Sequence, residues 1–348
     1  MTQLTRIRLA HFRNFKELDI EFTGGLNAIV GPNAIGKTTL LEAIHFLSIG
    51  RSFRTGKLQE VIKKGESNFS IQAFFTKDGV DQTLSIFYNG ITKEIKHNET
   101  SYTSFTPLFG LFPTVIYSPF DIALIHALPQ ERRKFLNILI AQANPLYVHH
   151  LTRYSKAVLH RNALLKSRKL ATIEIWEEEM IKAAQFIQEK RGEVLGKISL
   201  LSKALYQELS SGKEELKLVY KPSKISSDLL ALSREKDLML GYTSLGPQKD
   251  DIEITLDALS AKNYASEGQK RSIIGSLKLA EKEYLNPAIL LVDDFGVHLD
   301  SRRKGKFEEK ISQEAQAFLT SPYPLGGSTQ AFLHFLDSPS PLESSAPL

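Results

Sequence analysis

The octapeptide Gly31-Pro32-Asn33-Ala34-Ile35-Gly36-Lys37-Thr38 constrains this chain more than any other stretch, because it matches G-x-x-x-x-G-K-[ST]. Before it runs an apolar segment, Leu26, Ala28, Ile29 and Val30, that reads as a buried strand. After it, Leu40, Leu41, Ile44 and Leu47 recur on one helical face. A loop of this kind wraps around phosphates: backbone N–H groups point inward, the glycines permit the turns, and the following helix adds its N-terminal dipole. Lys37 is then expected to reach the β- and γ-phosphates, and the Thr38 hydroxyl to hold Mg²⁺. The competing reading is a chance match in a glycine-containing loop. The strand before it and the helix after it argue against chance.

Composition narrows the class without naming a partner. The 348 residues suffice for one large domain or two ordinary ones, and 42% hydrophobic content supports a sizeable core. No apolar run approaches a membrane span, and Met1-Thr2-Gln3 leads into a strand pattern, so neither a membrane anchor nor a signal peptide is expected. Cysteine is absent, which excludes disulfides, thiolate metal sites and cysteine nucleophiles. A cytoplasmic location is the expectation. The net charge of +5 is compatible with a nucleic-acid partner and proves none.

Along the chain, residues 4–9 and 18–22 alternate like half-buried strands around the turn His11-Phe12-Arg13-Asn14-Phe15. Arg51-Ser52-Phe53-Arg54-Thr55 is a basic loop whose arginines suit phosphates and a solvated connector equally. Residues 69–75 and 84–88 alternate again, with Asn89-Gly90 as a hairpin signal. From Asp121 to about Leu209 the pattern turns helical: Asn144-Pro145 caps one helix running to about Lys169, and a second starts near Thr172. Ile173, Met180, Ile187, Val194 and Leu201 repeat every seven residues, as in an antiparallel helical pair. Arg132, Arg133, Lys134, Arg153, Arg161, Lys166, Arg168 and Lys169 on this arm fit a DNA footprint and a solvated face equally.

Ser266, Gly268 and Gln269 open an apolar helical run, a place where an anion can dock, although Ser266 as an ordinary N-cap explains the residues too. The buried run Ala288-Ile289-Leu290-Leu291-Val292 ends in Asp293-Asp294, where parallel α/β sheets place their ligands. Beside a P-loop, Asp293 reads as a Walker B carboxylate for Mg²⁺.

The order of these motifs resembles the ABC-type ATPase heads of the SMC superfamily, and more closely the RecF family of bacterial replication and recombinational-repair proteins. HFRNF at 11–15, GPNAIGKT, RSFRT, YSPFDIALI, ERRKFLN, RNALLK, SLGPQKDD, YASEGQKR and ILLVDDFGVHLDSRRK carry it, over residues 1 to about 320. The resemblance implies an α/β fold: a P-loop ABC-type ATPase head with an antiparallel β-layer and an inserted α-helical arm. It implies ATP and Mg²⁺ as cofactors, with Gly31 to Thr38 around the phosphates and Thr38 and Asp293 on the metal. Lys37, Asp293 and Asp294 would be catalytic, Asp294 polarising the attacking water. Ser266, Gly268 and Gln269 would cap the γ-phosphate of a partner subunit, and the Asp300 loop would cross the dimer interface. The implied activity is a weak, DNA-stimulated ATPase in an ATP-dependent homodimer that closes on single-stranded or gapped duplex DNA. Other recombination mediators are its implied partners, and DNA repair with the SOS response its setting.

Three positions depart from the family pattern: Ala34 for glycine, Gln248 for the histidine of the GPHRDD-like motif, and His298 for an acid before Leu299-Asp300. The expected organisation is 1–120 and 213–322 as two halves of the head, 121–212 as the arm, and a disordered tail over 323–348, which is rich in proline, serine and glycine. Two other readings stand beside this one. A small-molecule P-loop NTPase or kinase leaves the S-x-G-Q segment and the arm unexplained; a repair scaffold would bind nucleotide without turnover.

Overall fold

The computed structural model describes residues 2–210, 214–294, 301–322 and 331–336. The chain divides into two compact units. The first comprises residues 1–103, 289–297 and 308–348, and the second residues 104–288 and 298–307. Residues 213–288 fall in the second unit together with the helical stretch.

The first unit begins with strands β1 (Thr2–Ala10), β2 (Glu17–Glu21) and β3 (Gly25–Val30), helix α1 (Lys37–Ile49), and strands β4 (Phe69–Lys77), β5 (Val80–Tyr88), β6 (Lys93–His97) and β7 (Thr100–Tyr102). Six of these strands form one antiparallel sheet in the order β2-β1-β4-β5-β6-β7. Alternation drives it: Ile7, Leu9, Ile71, Ala73, Leu84 and Ile86 are buried, and their neighbours along each strand are more exposed. Opposite residues pair in register, Leu9 with Leu18 and with Ile71. Asn89 closes the β5–β6 hairpin, its side-chain oxygen accepting from the amides of Ile91 and Thr92 at 3.0 and 2.8 Å. Every residue of α1 except Thr38 is buried, as expected of a helix covered on all sides. Phe46 of α1 meets Phe12 and Phe69 edge-on, at 6.4 and 5.8 Å between centroids.

The second unit carries β8 (Thr114–Tyr117), then helices α2 (Ala123–His126), α3 (Pro129–Ala143), α4 (Pro145–Ser167) and α5 (Ile173–Ser210). There follow β9 (Leu216–Lys221), α6 (Ser227–Leu240), β10 (Asp251–Leu256), β11 (Leu259–Ser260), α7 (Ala261–Tyr264) and α8 (Glu267–Tyr284). Asn144 caps α4 by accepting from the Leu146 amide at 3.1 Å. The seven-residue repeat buries Ile173, Met180, Ile187 and Val194 of α5. Strand order β11-β10-β9 makes a small antiparallel sheet.

The chain then returns to the first unit with β12 (Ile289–Val292), passes through α9 (Ser301–Ser312), and ends its described course with β13 (Gln316–Ser321) and β14 (Phe332–Phe335). Here β12, β13, β3 and β14 run parallel, in the order β14-β3-β13-β12. All four residues of β12 are buried, as a parallel strand covered on both faces requires. Residues 332–335, expected to lie in a disordered tail, instead pair with Asn27–Val30 of β3. The partner strand lies some 300 residues away, so composition carried no sign of it.

Candidate nucleotide-binding site

The P-loop leaves β3 at Gly31 and enters α1 at Lys37. Two of its turns demand special backbone. Gly36 has φ +120°, and a Cβ there would stand 2.6 Å from the Phe15 ring and 2.7 Å from the Asn14 amide nitrogen. Ala34 has φ +66°, the left-handed region that an L-residue enters at a cost. Asn14 clasps the loop from the HFRNF turn by donating to the Ile35 carbonyl at 2.8 Å.

Lys37 is buried, and its Nζ donates to the carbonyls of Gly31 (2.7 Å) and Pro32 (2.8 Å), so the ammonium lies over the loop it belongs to. Next to it, Thr38 Oγ1 donates to Asp293 Oδ1 at 2.9 Å. Asp293 follows β12 directly, and the same oxygen accepts from Thr320 Oγ1 of β13 at 2.8 Å. Burial pushes the Asp293 carboxyl above its ordinary range, and the hydrogen bonds from Thr320 and Thr38 pull against that. Asp294 is exposed with φ +49°, and its amide donates to Thr320 Oγ1 at 2.9 Å.

A cavity of about 600 Å³ opens beside the loop, lined by Asn33, Ala34, Gly36, Lys37, Thr38 and Asp294 together with Arg13, Asn14, Arg54 and Glu60. Its size suits a nucleotide. The first-turn amides of α1 lack intrahelical partners and add an electropositive floor. For a cation, Thr38 and Asp293 offer a hydroxyl and a carboxylate. Among the described residues no group of three or more His, Cys, Asp or Glu could hold a metal. Two hard oxygens with room for phosphate oxygens and water fit Mg²⁺, which keeps much of its hydration shell.

The structure therefore gathers the predicted P-loop, Thr38, Asp293 and Asp294 in one unit. It adds residues to which sequence reasoning gave no role, Arg13, Asn14 and Thr320, and of the two arginines in the basic loop it places Arg54 at the cavity. Thr320 had no local signal, since only parallel pairing of β12 with β13 sets it beside Asp293.

Ser266, Gly268 and Gln269 belong to the second unit. Ser266 is the N-cap of α8 in a capping box: its Oγ accepts from the Gln269 amide at 3.3 Å, and its own amide donates to Gln269 Oε1 at 2.6 Å. Gln269 Nε2 also donates to Glu214. Residues His298, Leu299 and Asp300 lie outside the described residues.

The SLGPQKDD motif is a packing hub of the second unit. Asp250, fully buried, accepts from Arg191 (2.7 Å), Gln188 (2.9 Å), the Ser223 amide (2.8 Å) and Tyr220. Gln248 accepts from Tyr154 and donates to the Leu245 carbonyl at 2.7 Å, so it ties a loop to α4. Several arm cations are likewise internal. Arg161 is fully buried on Asp237 and Glu177, Arg132 pairs with Asp251 at 2.6 Å, and Arg133 donates to the Asp250 carbonyl. Lys166, Arg168 and Lys169 are exposed.

Comparison with known proteins agrees with this construction. A family model described as the RecF/RecN/SMC N terminal domain matches residues 3–322. The chain is 39% identical over 338 residues to the DNA replication and repair protein RecF of Protochlamydia amoebophila, covering 92% of this chain and 94% of that one. It is 35% identical over 333 residues to the RecF protein of Chlamydia abortus, covering 90% of each. Among solved structures, the recombination mediator RecF with ATP matches at a TM-score of 0.86 and 31% identity over 94% of both chains. The Smc head domain of Pyrococcus furiosus shares the fold, at a TM-score of 0.52 and 19% identity. From the matched motifs, the shared architecture and this level of identity, the chain belongs to the RecF family of the RecF/RecN/SMC group.

Proposed function

We propose that this chain binds ATP with Mg²⁺ in the cavity of its first unit and serves DNA replication and recombinational repair in the cytoplasm. It works as an ATP-gated dimer that closes on single-stranded or gapped duplex DNA and helps other mediator proteins load the recombinase. The single observation that carries the reading is that Lys37 and Thr38 of α1 line one cavity while Asp293, just after β12, accepts from Thr38 at 2.9 Å.

Lys37 exchanges the Gly31 and Pro32 carbonyls for phosphate oxygens, which costs little reorganisation because its ammonium is already seated over the loop. Thr38 and Asp293 would hold the cation through their hydroxyl and carboxylate oxygens. A cation bound there would supply neutralisation of the polyphosphate's charge. Asp294, exposed at the cavity rim, orients the attacking water through its carboxylate. Ser266, Gly268 and Gln269 complete the site of a partner copy in trans, so one chain alone turns over slowly. In this reading 1–120 and 213–322 work as the head and 121–212 as the arm.

Sedimentation of the protein with Mg²⁺, with and without ATP, tests the reading. A monomer that becomes a dimer only with ATP is the expected result; a monomer that binds ATP without associating removes the clamp. Lys37→Ala should abolish ATP binding, while Ser266→Arg should keep binding and block association. Hydrolysis that rises on adding gapped DNA separates this function from a small-molecule NTPase and from a scaffold without turnover.

A further inference from the structure

Glu42 lies on α1 one turn beyond the P-loop lysine and is fully buried. A carboxylate held out of water costs free energy unless partners satisfy it. Two of its partners, Arg13 and Arg54, line the nucleotide cavity, and the third, Ser52, is buried in the loop that carries Arg54. Arg13 approaches both oxygens, Nη2 to Oε1 at 2.6 Å and Nε to Oε2 at 3.1 Å, and anchors its other nitrogen on the Glu60 carbonyl at 2.5 Å. Arg54 Nη1 donates to Oε2 at 3.3 Å. Ser52 Oγ donates to Oε1, and the same hydroxyl accepts from the amides of Arg54 (2.9 Å) and Thr55 (3.1 Å). One anion thus orders two guanidiniums and the turn that carries one of them. Arg13 and Arg54 both line the cavity, where Glu60, itself 3.6 Å from Lys57, is a neighbouring carboxylate. An apolar residue would fill the place of Glu42 without the desolvation cost, so packing alone does not account for its charge.

We propose that Glu42 is a positioning residue of the nucleotide site: it holds Arg13 and the 51–55 loop so that both guanidiniums face the polyphosphate of a bound nucleoside triphosphate. The inference rests on the nucleotide reading of the cavity given above. Its physical content is preorganisation. Arginine side chains lose rotamer freedom when they grip a ligand, and a carboxylate behind them bears that loss before the ligand arrives.

A double-mutant cycle on ATP affinity in Mg²⁺ tests it, with thermal melting of each variant to confirm folding. Arg13→Gln should weaken ATP binding about tenfold, as loss of a charge-assisted bond does. Glu42→Gln keeps the shape but puts an amide donor against both guanidiniums, and should weaken binding by a similar factor. The double variant should be no weaker than about tenfold, because both changes disable one device. Wild-type affinity in Glu42→Gln, or losses that multiply to about a hundredfold, would overturn the proposal. Should Glu42→Gln fail to fold, Ser52→Ala takes its place, since it releases the 51–55 loop from the carboxylate, and from the hydroxyl that orders its Arg54 and Thr55 amides, while leaving Glu42 itself in place. It should weaken binding about threefold in the wild type and not at all in an Arg54→Gln background; an equal loss in both backgrounds overturns the proposal. Equal ATP binding by wild type and Lys37→Ala is the separate outcome that fails the nucleotide reading itself, and the proposal with it.

Discussion

Thr320→Val removes one hydroxyl and little volume at the point where β13 meets the acid pair. Thr320 is buried, donates to Asp293 Oδ1 at 2.8 Å and accepts from the Asp294 amide at 2.9 Å. The first bond is charge-assisted, worth about 1.5–3 kcal/mol, and the amide left without its acceptor adds about 1 kcal/mol. The first unit should therefore lose about 2–4 kcal/mol at neutral pH, a fall in Tm of roughly 5–10 °C. The pH dependence carries a sign. Asp293 titrates above its ordinary value of 3.8 because it is buried, and Thr320 is the strongest influence opposing that rise. A carboxyl raised on folding contributes stability that is complete below the unfolded pKa and lost as pH climbs through the folded one. Removing Thr320 raises the folded pKa further, so the deficit should be largest at neutral pH and shrink on acidification toward 3.8. Mg²⁺-dependent ATP affinity should fall off at a higher pH than in the wild type. Thermal melts and ATP titrations across pH, with Thr320→Ser as the hydroxyl-bearing control, read both effects. A valine variant that melts with the serine variant, with the same pH profile, refutes the reasoning.

Two further perturbations probe other parts of the molecule. Asp250→Ala removes the counter-ion of Arg191, whose side chain is 2% exposed and keeps its bonds to Pro247 and Asn137, and should cost about 3–5 kcal/mol by chemical denaturation; a loss under about 1 kcal/mol would show that the hub is incidental. Ala34→Gly relieves a left-handed alanine worth about 1–2 kcal/mol, offset by about 0.4–1 kcal/mol of added unfolded-state freedom. It should leave the protein as stable or slightly more stable; clear destabilisation would mean that the alanine methyl makes a contact of value.

The strand–loop–helix around residues 31–38 and the place of the acid after β12 were legible because both are local patterns: an apolar run, then a fixed constellation, then a helix or a strand end. The antiparallel sheet was legible for the same reason, as period-two alternation survives in short windows. What stayed hidden depends on partners distant in sequence. Thr320 reads as a strand residue until β13 lies beside β12, and β14 reads as part of a polar tail until β3 offers it an edge. Arg161 and Arg132 looked like surface charge because arginine usually is. Their burial follows from acids 76 and 119 residues away, Asp237 and Asp251. Gln248 showed in the sequence only as a departure from the GPHRDD-like pattern, and its hydrogen bonds to Tyr154 and Leu245 tie it into the packing of the second unit.

The serine of the S-x-G-Q segment shows how a bland reading and a sharp one can both hold. As N-cap, Ser266 uses an oxygen lone pair to receive the Gln269 amide, while Gln269 returns the favour to the Ser266 amide. A hydroxyl that accepts in this way still has its own hydrogen to give. At the start of an eighteen-residue helix that hydrogen sits in the region of positive potential where an anion is favoured. Capping therefore orients the donor for the proposed γ-phosphate contact of a partner copy. Aspartate would cap α8 as well, but it would bring a like charge to the phosphate and has no hydrogen to offer. Alanine would do neither. Among N-cap residues, a hydroxyl serves the helix and an incoming anion together, and serine does so with the least bulk at an exposed position.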